Sequence, residues 1–245
     1  MKRLIAAWLG AMVASGALAA PADTVVDVAR ATVRLPAGEW ISLSRGQVDA
    51  VKVNDQRSIP AEVLTLALVQ GSRLDALVTI TATAGGAGGF VQWSGDCKPT
   101  DTGLWAVRPA GANPDDMECA YASAPFPAEE MFGDETSWGQ AARARGLRVP
   151  DEMVMASAEV GSRMGALMSV EVLAGADFAG VPGPLTAAAA DELPSSVDDR
   201  HAAFALQLAQ RVRDCVYSIR GRMDFPPITF ISAAPPEVRI ARVDP

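Results

Sequence analysis

The sequence predicts an α+β protein whose antiparallel sheet is built on two related β-hairpins, residues 62–85 and 152–175. Three observations predict this class. Two stretches of 24 residues, at a constant offset of 90 and without a gap, share eight identical residues and are similar in character at most other positions. Both copies alternate apolar and polar residues, as half-buried strands do. One long amphipathic helix, at about 197–220, follows the second copy and is expected to cover an apolar hairpin face.

Residues 1–19 have the pattern of a secretory signal peptide. Lys2 and Arg3 precede an apolar stretch, and Ala17-Leu18-Ala19 forms an A-x-A cleavage site. Cleavage after Ala19 predicts a periplasmic or secreted protein. No later stretch is long and apolar enough to cross a bilayer, so we expect no stable membrane insertion after cleavage.

The charge of the chain argues against two classes of partner. The full chain has 21 basic and 29 acidic residues, which gives a net charge of −8. Loss of Lys2 and Arg3 leaves 19 basic residues against 29 acidic ones, so the mature chain carries −10. Nucleic acids and anionic membrane surfaces both need a basic footprint. The expected partner is therefore a protein or a small molecule of unknown identity.

Residues 20–123 are predicted to form a β-rich half that contains the first hairpin. The glycine run at 85–89 lacks the Lys-Ser/Thr ending of a phosphate loop, so it is predicted to be a turn. The other expected strands alternate loosely between turn residues. They lie in residues 25–35, 40–53, 90–93, 104–107 and 117–123.

The alternation predicts a register for each hairpin, because a slip of one residue would exchange the two faces. A three-residue loop at Gly71 would give one apolar face, with pairs Gln70/Leu74, Leu68/Ala76, Leu66/Val78 and Leu64/Ile80. It would give a second face with pairs Val69/Asp75, Thr65/Thr79 and Val63/Thr81. In the second copy the same rule pairs Val160/Met164, Ala158/Ala166, Ala156/Met168 and Val154/Val170, and leaves Ser157, Glu159, Ser169 and Glu171 opposite.

A helix is the alternative for the first arm of each copy. Pro60 and Pro150 suit the first turn of a helix, and the glycines that follow each arm suit its end. The β-branched residues Val63, Thr65 and Val69 favour a strand instead.

Residues 124–135 are rich in proline and acids, which predicts a solvated linker between the halves. Residues 136–245 are predicted to be an α+β half, which forms either a separate domain or one continuous domain with the first half. Asp134 or Thr136 is expected to cap a short helix that Gly146 ends. Ser196 is expected to cap the long helix. Its apolar stripe comprises Phe204, Leu208, Val212, Cys215, Val216 and Ile219.

The cysteines fit an exported protein. Cys97 and Cys119 are predicted to form a disulfide, since export exposes them to an oxidising environment. Cys215 lies on the apolar stripe and is predicted to be a buried, inert thiol. Because two of the three cysteines are predicted to be bonded to each other, the remaining cysteine and the one histidine are too few for an expected transition-metal site. Dinucleotide-binding and P-loop signatures are absent, so no cofactor is predicted.

Five residues are candidates for chemistry or binding. Glu62 and Glu152 precede equivalent strands, which makes them the candidate acid pair of a hydrolase. His201 is the sole histidine and a candidate base, although no nucleophile motif accompanies it. Arg73 and Arg163 lie at equivalent loop tips and are candidate contacts for an anion or a partner.

The features together favour an exported, non-catalytic binding or accessory protein of unknown ligand. One alternative is an extracytoplasmic carboxylate-dependent hydrolase, because paired acids leave no local spacing signature. The other alternative is a self-associating structural protein, a homodimer with a symmetric surface that the two hairpins mirror.

Overall fold

The computed structural model describes residues 24–54, 57–85, 90–91, 93, 97–98, 103–133, 136–178 and 193–229. Its mostly antiparallel sheet and few helices confirm the α+β class. The expected signal peptide, most of the glycine run and residues 230–245 lie outside the described residues. Within those residues, no helix combines the length and apolar character needed to span a membrane.

The main sheet contains eight strands in the order β3-β4-β5-β10-β9-β7-β6, with β8 paired to β9. Strands β1, β2 and β11 form a separate small sheet. The strands are β1 Val25–Val28, β2 Ala31–Arg34, β3 Glu39–Asn54, β4 Arg57–Gln70, β5 Arg73–Thr83, β6 Leu104–Val107, β7 Met117–Ser123, β8 Phe126–Pro127, β9 Glu152–Gly161, β10 Leu167–Gly175 and β11 Arg222–Asp224. The helices are α1 Glu129–Phe132, α2 Ser137–Ala144 and α3 Asp199–Tyr217.

Strand alternation divides the core between the two faces of the main sheet. Helix α3 and the small sheet cover one face, where Leu64, Val78, Val170 and Phe204 belong to the same buried cluster. Helices α1 and α2 lie on the opposite face and cover only the end nearest the β4–β5 turn. Among the described residues, α3 therefore closes one side of the main sheet, and the other side is only partly covered.

The first hairpin follows the predicted faces except at Leu74, which joins the buried cluster on the opposite face, and its turn is different. Leu68/Ala76, Leu66/Val78, Leu64/Ile80, Thr65/Thr79 and Val63/Thr81 pair as predicted. The predicted pairs Gln70/Leu74 and Val69/Asp75 are wrong, because Gln70 pairs with Arg73 and Val69 with Leu74. The turn has two residues, and Gly71 supplies the positive φ of 61° that such a turn needs. A bulge at Asp75 then restores the alternation.

The second hairpin is shifted by four residues from the predicted register. Val160 pairs with Met168, Ala158 with Val170, Ala156 with Val172 and Val154 with Ala174. A loop of five residues, 162–166, replaces the expected three. Tertiary contacts hold the longer loop, since Asp116 accepts a 2.6 Å hydrogen bond from the backbone N–H of Arg163. An even shift preserves both faces, so the glutamates of this hairpin remain on the polar side.

The two hairpins join through β5 and β10. Ile80 lies directly opposite Val170, the residue at an offset of 90. On either side, Thr79 pairs with Glu171 and Thr81 with Ser169. The residues at an offset of 90 from Thr79 and Thr81 therefore lie on opposite sides of the Ile80/Val170 pair. A two-fold axis normal to the sheet through this pair would give the same arrangement. One sheet therefore contains both repeat copies.

Helix α2 matches its prediction, and Thr136 caps it by accepting a 2.9 Å hydrogen bond from the Gly139 N–H. Helix α3 is shorter than the predicted 197–220. Asp198, not Ser196, is its N-cap and accepts a 2.8 Å hydrogen bond from the Arg200 N–H. Ile219 lies beyond the helix and is fully exposed, so its place on the apolar stripe was wrong.

Residues 124–135 contain more structure than a solvated linker. They include β8 and α1, and Ala128 and Phe132 are buried against the open face of the main sheet. Strand β11, which alternation did not indicate, pairs in parallel with β2.

Candidate functional site

The open face of the main sheet has a polar middle between two apolar ends. One end is the cluster under α1 and α2, which includes Leu77, Phe132 and Leu173. The other end is a smaller cluster that includes Val91 and Cys119. Between them, polar side chains from five adjacent strands form a surface that we call the trough. Its floor consists of Thr65, Thr79, Thr81, Tyr121, Ser157, Glu159, Ser169 and Glu171.

The trough remains accessible from solvent although its ends are covered. All of its floor residues are half-buried except Thr65, which is 2% exposed. The Thr65 and Thr79 hydroxyls lie 3.3 Å apart and share a hydrogen bond. The floor thus offers hydroxyl groups and carboxylates within one recess of the sheet.

Glu159 and Glu171 lie side by side in the trough. Glu159 pairs with Ser169, and Glu171 is two residues further along β10 on the same face. Diagonal neighbours in an antiparallel pair have Cα atoms about 7 to 8 Å apart. The register alone therefore brings two carboxylate side chains close together.

These glutamates have no hydrogen bond or ion pair with any described residue. Burial raises the pKa of Glu159 and the pKa of Glu171 above the usual range of a glutamate. Burial also raises the pKa of Tyr121, and the negative charge of Glu159 adds to that shift. A buried carboxylate without a partner costs free energy, so the trough holds negative charge that a ligand could stabilise.

Glu62 and Glu152, the candidate acid pair, lie far apart. Across the strands from Glu62 come Ala82, Met168 and Val160 in turn, which is about 14 Å at the usual strand spacing. Glu152 lies eight residues from Val160 along β9, or about 27 Å. The two glutamates are thus roughly 30 Å apart, and paired-acid hydrolysis needs about 5 to 10 Å. They cannot act on one substrate bond.

Each of these two acids has its own local setting. Glu62 accepts a 2.6 Å hydrogen bond from the Ala29 N–H and lies 2.7 Å from the Arg45 guanidinium. It joins the small sheet to β4. Glu152 is exposed at the start of β9, opposite Pro127.

His201 is buried on the α3 side of the sheet, away from the trough. Its Nε2 lies 2.8 Å from the Phe178 carbonyl oxygen, and its ring stacks on the Phe178 ring with centroids 5.6 Å apart. The Nε2 position must therefore carry the proton that it donates. His201 is a packed core residue, and no nucleophile is recorded beside it in the described part of the chain.

Arg73 and Arg163 lie at opposite ends of the sheet, because β5 and β10 are antiparallel. Arg73 Nε is 2.6 Å from Asp75 Oδ1. Arg163 Nη1 is 3.5 Å from Asp115 Oδ2, and both side chains are more than half exposed. The structure therefore does not bring the two loop-tip arginines into one site.

Cys97 and Cys119 form the predicted disulfide, with Cα atoms 5.4 Å apart. This bond ties the segment that carries Val91 and Trp93 to β7, beside the trough. Cys215 is a buried free thiol. Burial raises the pKa of Cys215 to about 11, which suppresses the reactive thiolate.

A buried polar cluster between β7 and α3 was not singled out by the sequence. The Tyr217 hydroxyl lies 2.7 Å from Asp116 Oδ2 and 3.2 Å from Glu118 Oε1. Arg213 Nε is 3.4 Å from Glu118 Oε2, and Asn113 donates to Asp116. Burial raises the pKa of Tyr217, and its bond to Asp116 adds to the shift. Protein groups bind both carboxylates, although Glu118 Oε2 has an ion pair and no hydrogen bond. The cluster therefore anchors α3.

The sequence did place Glu159 and Glu171 on the polar face. It did not single them out, because acids on a polar face are ordinary. A comparison of the two repeat copies contains a stronger signal, since Val69 and Thr81 occupy the equivalent positions in the first copy. The second copy alone carries the acid pair.

Comparison with known proteins does not identify this chain. No family model matches it, and no curated protein matches it. A search of solved structures gives the effector domain of PhnF from Mycobacterium smegmatis, at 12% identity and a TM-score of 0.29. That match covers 56% of this chain and 80% of the effector domain. A likeness at this TM-score supports no conclusion about fold or ligand.

Proposed function

We propose that this protein is an exported, non-catalytic binding protein that holds a cationic ligand in the trough. The observation that carries the proposal is the pair of half-buried glutamates, Glu159 and Glu171, without partners among the described residues. A ligand with one or two ammonium groups would supply the missing counter-charge. Such charge-assisted hydrogen bonds are stronger than neutral ones.

The composition of the trough favours an organic cation over a metal ion. Two carboxylates supply at most four oxygens, whereas Ca²⁺ takes six to eight oxygen ligands. No group of three or more metal-ligating side chains occurs among the residues that the structure covers. The hydroxyls of Thr79, Thr81 and Tyr121 can accept further hydrogen bonds from ammonium groups.

Export is supported by the signal sequence and is compatible with the Cys97–Cys119 disulfide. Expression of the full chain with cell fractionation tests it. We expect the mature protein in the periplasm or the medium, with Ala20 as its first residue by intact mass. A full-length protein retained in the cytoplasm would refute this part of the proposal.

Calorimetric titration of the mature protein with 1,5-diaminopentane tests the ligand class. 1,5-Pentanediol is the matched neutral probe, and we expect it not to bind. Glu159→Gln and Glu171→Gln should each weaken diamine binding by about tenfold or more, because a hydrogen bond to a charged group contributes about 1.5 to 3 kcal/mol. Glu152→Gln is the control, since Glu152 is exposed at the far end of β9. A Glu159→Gln/Glu171→Gln double variant that binds the diamine as tightly as the wild type would refute the proposal.

A second candidate is a carboxylate-dependent hydrolase that uses the same two glutamates. Their diagonal placement and raised pKa values resemble the requirements of a general acid and its partner. A panel of aryl glycosides tests it. Turnover that either Glu→Gln variant abolishes would favour the hydrolase over the binding protein.

The homodimer remains a prediction. Light scattering during size-exclusion chromatography measures the mass of the protein in solution, and the mass of a monomer would contradict this prediction.

A further inference from the structure

A second recess lies at the end of the sheet that carries the β4–β5 turn, away from the trough. Its cavity volume is about 390 Å³. Two arginines and three aspartates contribute to its lining. The lining residues used below are Arg73, Asp75, Arg148, Pro150, Asp151 and Asp177.

Backbone hydrogen bonds fix the walls of this cavity. Arg148 donates its N–H to the Ser72 carbonyl at 2.7 Å and accepts from the Leu74 N–H at 2.9 Å. The Asp151 carbonyl accepts from the Ala128 N–H at 2.9 Å. The segment 148–151 is therefore held at both ends, so its side chains project from a fixed backbone.

The Asp177 carboxylate lies close to the backbone of Gly175. A Cβ atom on Gly175 would lie 2.8 Å from Asp177 Oδ1 and 3.4 Å from Pro150 Cγ. A side chain at position 175 would therefore require the Asp177 carboxylate to move. The glycine thus allows the carboxylate to lie against the wall near Pro150.

The charges of the cavity do not balance. Arg73 and Asp75 form an ion pair at 2.6 Å and neutralise each other. Arg148, Asp151 and Asp177 are exposed and make no side-chain hydrogen bond or ion pair with the residues that the structure describes. One positive and two negative groups are left to face a ligand.

We propose that this cavity binds a free basic amino acid such as lysine or arginine. Such a ligand carries one carboxylate, one α-ammonium group and one cationic side chain at neutral pH, which complements the unpaired groups. Arg148 would bind the carboxylate with its planar guanidinium. Asp151 and Asp177 would bind the two cationic groups, and Pro150 would contact the aliphatic stem.

This site differs from the trough in requiring a carboxylate on the ligand. The probes are therefore L-lysine and L-arginine, compared with L-lysine amide, L-norleucine and 1,5-diaminopentane. The amide and the diamine lack the carboxylate, and norleucine lacks the side-chain cation. We expect lysine and arginine to bind the mature protein more tightly than all three comparison compounds at this site.

Variants separate this cavity from the trough. Arg148→Gln and Asp177→Asn should each weaken lysine binding by about two- to fivefold, because solvent screens ion pairs at exposed positions. Lysine also carries ammonium groups that the trough would bind, so these titrations are made in the Glu159→Gln/Glu171→Gln background. Arg211→Gln and Asp224→Asn are the matched controls, since both residues are exposed elsewhere. Thermal unfolding of every variant checks that it is folded.

Three results would overturn the proposal. They are no binding of lysine at millimolar concentration, binding of lysine amide as tight as that of lysine, and undiminished binding by a folded Arg148→Gln variant. All three are measured in the Glu159→Gln/Glu171→Gln background, so they do not depend on whether the trough binds ammonium groups.

Discussion

Removal of the Cys97–Cys119 disulfide should destabilise the protein by about 3 kcal/mol. The bond closes a loop with a sequence separation of 22. Closing a loop of that length removes about 3 kcal/mol of chain entropy from the unfolded state. For a domain of this size each kcal/mol shifts the melting temperature by about 2 to 4 °C. The Cys97→Ala/Cys119→Ala variant should therefore melt roughly 6 to 12 °C lower.

The position of the disulfide extends the expected effect to the trough. Cys119 pairs with Glu159 across β7 and β9. The bond also holds the segment with Val91 and Trp93, whose indole N–H donates a 2.8 Å hydrogen bond to the Ser162 carbonyl. Loss of the bond should loosen this end of the trough. Diamine binding by the double variant should weaken, as calorimetric titration would show.

The assay is thermal unfolding followed by circular dichroism, with and without a reductant. Reductant should lower the melting temperature of the wild type and leave that of the double variant unchanged. Cys215→Ala is the control, because Cys215 is buried but not bonded. A double variant that melts within about 2 °C of the wild type would refute the entropy estimate. An equal loss in Cys215→Ala would show that the cost comes from core packing.

Three further predictions concern the trough and α3. Burial raises the pKa of Glu159 and the pKa of Glu171 in the folded protein. Each glutamate therefore stabilises the fold at pH below about 4.3, the usual glutamate pKa, and this contribution is lost as the pH rises through the raised pKa. Glu159→Gln and Glu171→Gln should therefore raise the free energy of unfolding at pH 7, and the gain should shrink toward pH 4, as urea titrations at the two pH values would show. Phe204→Ala should cost about 3 to 5 kcal/mol in urea unfolding because Phe204 is fully buried, whereas Ile219→Ala should change stability by less than about 0.5 kcal/mol; equal losses would contradict the placement of α3. Asp198→Ala should cost about 1 kcal/mol in thermal unfolding, since it removes the N-cap hydrogen bond, and a neutral result would return the cap to Ser196.

The faces of the hairpins could be read directly from the sequence. Leu64, Leu66 and Leu68 lie on one face because side chains alternate along a strand with a period of two. That local rule also survived the errors in turn length. The bulge at Asp75 restored the first hairpin, and the shift of four residues in the second was even. The disulfide was likewise predictable from residue type and position, and these limited the cap of α2 to Asp134 or Thr136.

Turn length and helix ends depended on contacts that local patterns do not contain. The five-residue loop of the second hairpin is held by Asp116 and Trp93, which are distant in sequence. Ser196 and Asp198 are both good N-caps, and only the packing of α3 selects between them. Ile219 continues the helical period, but the helix ends before it.

The candidate site was decided by tertiary structure. Alternation alone determined that Glu159 and Glu171 face the polar side of their strands. The register of β9 with β10, set by the five-residue loop, brought these acids close together, and the incomplete cover by α1 and α2 left them half-buried. A strand's sequence specifies which side chains share a face, because that depends on neighbouring bonds. Which strand becomes its neighbour and what covers the sheet depend on packing between residues far apart in the chain, and only the folded structure contains that information.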